Sequence, residues 1–176
     1  LILFGIINQQ ITISFIYMTY FKKLLLATVF ITPVLSHADF QGKVVGVSDG
    51  DTITVLVDGR EQRKVRLNNI DAPESKQAYG QRAKQAMSNM VYGKTVIVAT
   101  SKKDRYGRYL GEVYLPPNIN VNRSMVEYGF AWAYREYLSD QSYLDLEYKA
   151  RANKAGLWAD PHAIYPQDFR KQRKTK

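Results

Sequence analysis

The sequence predicts an α+β fold: a five-stranded OB-type β-barrel with about three helices. Three observations predict it. Alternating apolar residues indicate strands at the start of the domain, a helical pattern follows the third strand, and two more strands precede the last helices. The chain has 176 residues, of which 45% are hydrophobic, so it can form one ordinary domain with its own core.

Residues 40–70 predict a meander of three strands. Apolar side chains recur at every second position through two of its runs, as in half-buried strands: Ile53, Val55 and Val57, then Val65 and Leu67. The dipeptides Asp49-Gly50 and Asp58-Gly59 favour turns between the strands.

Residues 78–91 switch to helical spacing and end before Gly93, a residue typical of helix ends. Their apolar stripe consists of Tyr79, Ala83, Ala86, Met87 and Met90. Further along the chain we expect strands at 95–100 and 109–115 and helices at 121–128 and 140–154. The last of these helices is expected to have one apolar face, made of Leu144, Tyr148, Ala152 and Ala155.

The composition restricts the chemistry that the chain can perform. A net charge of +9 favours nucleic acid, an anionic membrane surface or an acidic protein as partner, although it is also compatible with solubility alone. There is no cysteine, which excludes disulfides, thiolate catalysis and cysteine-bound zinc. Because His37 and His162 are the two histidines of the sequence, a His-rich metal site is also disfavoured.

The N-terminal region predicts export. Lys22 and Lys23 precede an apolar run at 24–35, and Ser36-His37-Ala38 fits the small-x-small pattern of a signal peptidase site. We expect cleavage near Ala38 and a secreted or periplasmic product. A retained membrane anchor is the alternative, although the run is short for a span. Residues 1–17 precede Met18 and are interpreted as a leader, either translated or lying upstream of the true start site.

Two acidic clusters stand out in the predicted domain. Asp51 follows the turn between the first two strands, and Asp71 follows the third strand. In a three-stranded meander, both carboxylates can lie at one end of the sheet. Oxygen ligands of this kind suit Ca²⁺ or Mg²⁺ rather than a soft transition metal. The first cluster alone has a simpler explanation as a turn between strands.

Basic and aromatic residues complete a candidate phosphodiesterase site. Arg66 alternates with the core positions of its strand, and Arg108 lies in a basic loop; either guanidinium can bind a phosphate or merely pair with an acid. Glu74 can position or deprotonate a water molecule. Tyr106 in the same loop as Arg108 can stack on a base.

The ordered motifs DGDT, RLNNIDAPE and DRYGR resemble those of the staphylococcal nuclease family. The resemblance covers residues 40–160 and includes Gly156-Leu157-Trp158. It divides the chain into a leader and signal peptide at 1–38, a nuclease-like OB-fold domain at 39–160 and a basic tail at 161–176.

The resemblance implies a role for each candidate residue. Asp51, Asp71 and the main-chain carbonyl of Ala72 would bind Ca²⁺, and Arg66 and Arg108 would bind phosphate. Glu74 would be the general base or would only order the water. Tyr134 and Tyr137 are further candidates, with Tyr106, for contact with the substrate.

The implied activity is calcium-dependent endonuclease hydrolysis of DNA and RNA, leaving 3′-phosphate ends. We infer no obligate protein partner and expect a monomer. The alternative is an OB-fold module that binds nucleic acid without cleaving it. The presence of all five charged residues of the pattern favours the enzyme.

Overall fold

The computed structural model describes residues 39–174. The strands are β1 (Phe40–Asp49), β2 (Thr52–Val57), β3 (Glu61–Leu67), β4 (Ile70–Asp71), β5 (Thr95–Lys103), β6 (Tyr109–Leu115), β7 (Ile119–Asn120) and β8 (Trp132–Ala133). The α-helices are α1 (Gly80–Val91), α2 (Val121–Glu127), α3 (Ser142–Ala152) and α4 (Pro166–Lys174), and short 3₁₀ turns cover Arg135–Tyr137 and Gly156–Ala159.

Five strands close into the predicted barrel. They follow the order β3-β2-β1-β5-β6 with antiparallel neighbours, and β3 then pairs with β6 in parallel to complete the ring. This pairing sets Arg66 opposite Leu110. The strand that carries Arg66 is therefore joined directly to the strand that follows Arg108.

The core fills the barrel and the space between the barrel and its helices. Alternate residues of β2 and β3 point inward, among them the fully buried Ile53, Val55 and Val65. Helix α1 adds Ala83, Met87 and Val91 to the same cluster, so most of its predicted apolar stripe does face the core.

Gly50 lets the β1–β2 turn approach the segment after β4. A β-carbon at this position would lie 2.7 Å from the Ala72 β-carbon and 2.8 Å from the Ala83 β-carbon. Both distances are far below van der Waals contact, so a larger residue would push the turn away from Ala72. The turn residue Asp51 owes its place beside Ala72 to this close approach.

Asn122, at the start of α2, connects the helix to the barrel. Its side-chain oxygen accepts from the Val113 N–H, and its amide donates to the carbonyl oxygens of Asn68 and Gly111. The side chain is fully buried, and these bonds satisfy both of its polar groups. They also hold the segment that leads from β3 to β4.

Helix α3 buries a different face from the one predicted. Tyr143, Glu147 and Ala150 point inward, whereas Leu144 is partly exposed and Tyr148 is 75% exposed. The prediction was wrong because a pattern of apolar residues does not select a charged residue such as Glu147 for the buried face. Its buried carboxylate instead accepts hydrogen bonds from other parts of the chain.

The contacts of Glu147 stabilise a second apolar cluster. The carboxylate accepts from the Ala133 N–H and from the guanidinium groups of Arg135 and Arg151. Arg151 lies 3.7 Å from the centre of the Trp158 ring, which packs edge-on against Trp132. Trp132 is therefore a core residue of this second cluster.

The expected basic tail is partly helical. Helix α4 covers Pro166–Lys174, and its Arg170 is bound to acidic side chains rather than surrounded by solvent. The predicted signal peptide and leader, residues 1–38, lie outside the described residues. Between residues 39 and 174, no helix is both long and apolar enough to cross a bilayer.

Candidate active site

Arg66 brings the two predicted cation ligands together. Its Nη2 atom lies 3.1 Å from Asp51 Oδ2 and 3.2 Å from Asp71 Oδ1. Its Nη1 atom donates to the carbonyl oxygens of Leu67 and Ile70 at 2.6 and 2.8 Å. Of the two interactions considered for Arg66 from sequence, phosphate binding and pairing with an acid, the structure shows the pairing with neighbouring acids.

The main chain fixes the Asp51 carboxylate. Oδ2 accepts from the Ala72 N–H at 2.9 Å, and Oδ1 accepts from the Thr52 hydroxyl at 2.9 Å. The Asp51 carbonyl oxygen also accepts from the Leu67 N–H. Because these bonds join β2, β3 and the segment after β4, the convergence of the acidic residues follows from the strand connections.

Burial dominates the electrostatics of the acidic groups. Asp71 is 1% exposed, and burial raises its pKa to about 6, against the opposing effect of Arg170 and Arg66. Burial, reinforced by the charge of Asp51, raises the pKa of Asp49 to about 7. The protein's own cations therefore leave the carboxylate charge only partly compensated.

This donor set fits a divalent cation. Asp51 and Asp71 offer hard carboxylate oxygens in a buried site whose negative charge is disfavoured without a counter-charge. Within residues 39–174, no group of three or more His, Cys, Asp or Glu side chains is arranged to hold a metal ion. A cation here would take two carboxylates and complete its coordination with main-chain oxygen and water.

Glu74 is linked to Asp71 through the C-terminal helix. Arg170 donates from Nη1 to Glu74 Oε1 at 2.7 Å and from Nη2 to Asp71 Oδ2 at 2.8 Å. A longer contact of 3.2 Å joins Nη1 to Asp71 Oδ1. One guanidinium therefore spans the predicted cation ligand and the predicted water-positioning residue.

The loop that carries Glu74 is held by a tight backbone contact. The Glu74 carbonyl oxygen accepts from the Gln77 N–H, and the Gln77 carbonyl oxygen accepts from the Gly80 N–H. A β-carbon on Gly80 would overlap the Glu74 carbonyl oxygen. Glycine at this first residue of α1 is what allows the loop to fold back over the helix end.

Arg108 and Tyr106 lie on the β5–β6 loop. Among the described contacts of these two side chains, none is with Asp51 or Asp71. Arg108 is held by Asp104. The Nε and Nη2 atoms of Arg108 each lie 2.7 Å from Asp104 Oδ2. Although burial acts in the opposite direction, hydrogen bonds from Arg108 hold the pKa of Asp104 below its ordinary value. Tyr106 is 67% exposed and packs beside Arg105.

Tyr134 lies next to the carboxylate pair, and Tyr137 lies beside Tyr134. The Arg66 guanidinium stands 5.6 Å from the centre of the Tyr134 ring, and the two tyrosine rings meet edge-on at 5.0 Å. Burial, together with the charge of Asp71, raises the pKa of Tyr134. Tyr137 is largely exposed, so these rings form an aromatic surface at the edge of the site.

Sequence reasoning missed three contributors. The sequence identifies Asp49 only as a turn residue and Asp104 only as part of the basic loop; the spacing of Asp104 from Arg108, four residues across a Tyr-Gly turn, is a usable signal. Arg170 was assigned to the tail, and its partners are 96 and 99 residues away along the chain. No local pattern reports a contact of that range.

Comparison with known proteins identifies the family. The family profile described as "Staphylococcal nuclease homologue" matches residues 64–160. An uncharacterized endonuclease of Escherichia coli O157:H7 is 49% identical over 138 residues, which cover 78% of this chain and 89% of the relative. A micrococcal nuclease of Shigella flexneri is 44% identical over 159 residues, covering 85% of this chain and 91% of the relative. The chain belongs to the staphylococcal nuclease family.

Membership in the staphylococcal nuclease family supports a nuclease function, that is, hydrolysis of nucleic acids. An uncharacterized endonuclease of Haemophilus influenzae is 48% identical over 132 residues, which cover 75% of this chain and 74% of the relative, and it supports the same conclusion. The matched segment includes Arg66, Asp71, Glu74 and Arg108, while Asp51 precedes it.

We expect Gly80→Ala to impair cleavage strongly, although the substitution adds only one methyl group. The added methyl group must displace the Glu74 backbone, because the two overlap. A shift of this order moves Glu74 relative to Asp71, and we expect the cleavage rate to fall about a hundredfold. The free energy of unfolding should fall by about 1–3 kcal/mol.

Gly46→Ala is the matched control, since its β-carbon would make only an ordinary 3.4 Å contact with the Thr54 β-carbon. Cleavage kinetics and urea unfolding of both variants measure the effect. Full activity in Gly80→Ala would show that the position of the Glu74 loop does not matter.

Proposed function

We propose that this nuclease is calcium-dependent and hydrolyses phosphodiester bonds of DNA and RNA, leaving 3′-phosphate ends. The observation that carries the proposal is the buried pair Asp51 and Asp71, both within 3.2 Å of the same Arg66 nitrogen. The oxygen-only donor set and the location of the pair at the end of an OB-type barrel suit a cation that works on a phosphate.

Asp51, Asp71 and the Ala72 main-chain carbonyl would hold the cation. Bound there, Ca²⁺ supplies positive charge that offsets the charge of the phosphate group during hydrolysis. The protein's own part is to keep both carboxylates fixed. The hydrogen bonds from Ala72, Thr52 and Arg66 do this before any ligand arrives.

Two arginines are available for the phosphate, and they differ in accessibility. Arg66 is buried, and its two terminal nitrogens already have four acceptors within the protein, so a phosphate must compete with the carboxylates for it. Arg108 is partly exposed, and its acidic partner is Asp104 alone among the described ion pairs. We therefore assign the first contact with substrate phosphate to Arg108 and the ordering of the carboxylates to Arg66.

Glu74 acts on the attacking water, either by accepting its proton or by orienting it. The water oxygen forms the new bond to phosphorus, and the bond from phosphorus to the 5′ oxygen breaks. The departing 5′ oxygen takes up a proton, and the phosphate stays attached to the 3′ oxygen. Tyr134, Tyr137 and Tyr106 offer rings for neighbouring bases, and stacking of this kind tolerates any sequence.

The direct test is cleavage by the chain from Asp39 onward, with DNA and RNA in parallel. We expect cleavage with added Ca²⁺ and none in excess EDTA, because the carboxylate pair then lacks its cation. Products should accept a 5′ label from polynucleotide kinase without phosphatase treatment, as a 5′ hydroxyl does.

Restoring Ca²⁺ after EDTA is the control that separates loss of the cation from unfolding. Cleavage that persists in EDTA, or products that carry 5′ phosphates, would contradict the corresponding part of the proposal.

We expect Arg108→Gln to lower kcat/KM by about 10²- to 10³-fold, as loss of one charged donor to a reacting group does. Arg105→Gln is the control, because this substitution removes the same charge from the same loop. Arg105 contacts Tyr106, whereas Arg108 contacts Asp104. Equal losses in the two variants would indicate general attraction of nucleic acid and would remove Arg108 from its assigned role.

We further propose export through a cleaved N-terminal signal. The motif Ser36-His37-Ala38 supports this, and strand β1 begins shortly after it, at Phe40. N-terminal sequencing of the protein recovered from outside the cytoplasm should start at Asp39. A product that retains the apolar run 24–35 would instead support a membrane anchor.

A further inference from the structure

Helix α4 delivers a cation of its own to the carboxylate site. Arg170 contacts both oxygens of Asp71, and one of these, Oδ1, also lies 3.2 Å from Arg66. Asp71 is therefore paired with two guanidinium groups, those of Arg66 and Arg170. A divalent cation that used Asp71 as a ligand would need an oxygen that Arg170 holds.

The segment before Arg170 is docked on the loop that carries Glu74. The Gln77 side chain donates to the Ile164 carbonyl oxygen at 2.5 Å, and the Tyr165 ring packs edge-on against Trp132 at 5.3 Å. Phe169 lines a cavity of about 180 Å³ together with Pro73 and Trp132. These contacts hold α4 against the site, so the position of Arg170 is set by the fold.

The ion pair between Arg170 and Glu74 is also exposed enough to solvent for its partners to separate. The side chains of Arg170 and Glu74 are 35% and 36% exposed, in contrast with the buried Asp71. Partly exposed pairs are only modestly stable, because water competes for both groups.

We propose that Arg170 is a built-in competitor of the divalent cation, and that α4 is a latch which the cation must open. The proposal rests on the proposed calcium site and concerns its regulation. With the cation absent, Arg170 neutralises Asp71 and Glu74. With the cation bound, Arg170 leaves, because two cations at the same oxygens repel each other. The nuclease is thereby restricted to conditions in which calcium is plentiful.

Calcium binding to the full chain, measured by isothermal titration calorimetry without nucleic acid, tests the competition. Arg170→Gln removes the competitor, and we expect it to bind Ca²⁺ about tenfold more tightly than the unaltered chain. Arg173→Gln is the matched control, since Arg173 is an exposed residue of the same helix and its removal changes the net charge equally. We expect its affinity to match that of the unaltered chain.

Hydrogen exchange of the amides at 166–174 provides a second readout. Saturating Ca²⁺ should speed exchange in the unaltered chain, whereas Arg170→Gln should exchange fast without Ca²⁺. Equal calcium affinities for the Arg170 and Arg173 variants, or exchange in α4 that Ca²⁺ leaves unchanged, would overturn the latch.

These outcomes separate the latch from the proposed function. Calcium-dependent cleavage with equal affinities leaves the proposed function intact and rejects the latch. Tighter binding in Arg170→Gln without cleavage by any variant supports the competition and rejects the activity. Absence of calcium binding in all three chains rejects both.

Discussion

The site depends on one guanidinium. Arg66 holds Asp51 and Asp71 with one nitrogen and the carbonyl oxygens of Leu67 and Ile70 with the other. Without it, the buried Asp51 carboxylate would lose its guanidinium partner and Asp71 would keep that of Arg170, at a cost that proteins normally avoid by protonation or unfolding. The same contacts turn the chain from β3 into β4, so the group that organises the charge also shapes the backbone that carries it.

Much of the fold could be predicted because its signals are local. Alternation in β2 and β3, the Asp-Gly turns and the spacing of Ala83 and Met87 each report a pattern within a few residues. The meeting of Asp51 and Asp71 was also predictable, since hairpin connections fix which strand ends lie together. The roles assigned to Arg66 and Arg108 needed more than this, because a charged residue on a strand or loop has many possible partners.

The failures share a physical cause. The apolar face predicted for α3 omits Glu147, and the predicted basic tail includes Arg170, because charged residues are usually exposed. Both are partners of distant groups: Glu147 binds the Ala133 N–H, and Arg170 binds Asp71. A buried charge is tolerated only where the rest of the fold supplies its counter-charge. Sequence pattern alone does not contain that information.

The parallel pairing of β3 with β6 has a consequence for the timing of activity. These strands are separated by α1 and β5, so the ring closes only after most of the domain has been synthesised and collapsed. Arg66 and the strand beside Arg108 come together at that step, and α4 follows later still. In a chain that still lacks β6, nothing therefore holds the segment after Arg108 beside Arg66, so the basic loop reaches the carboxylate pair only when the ring closes.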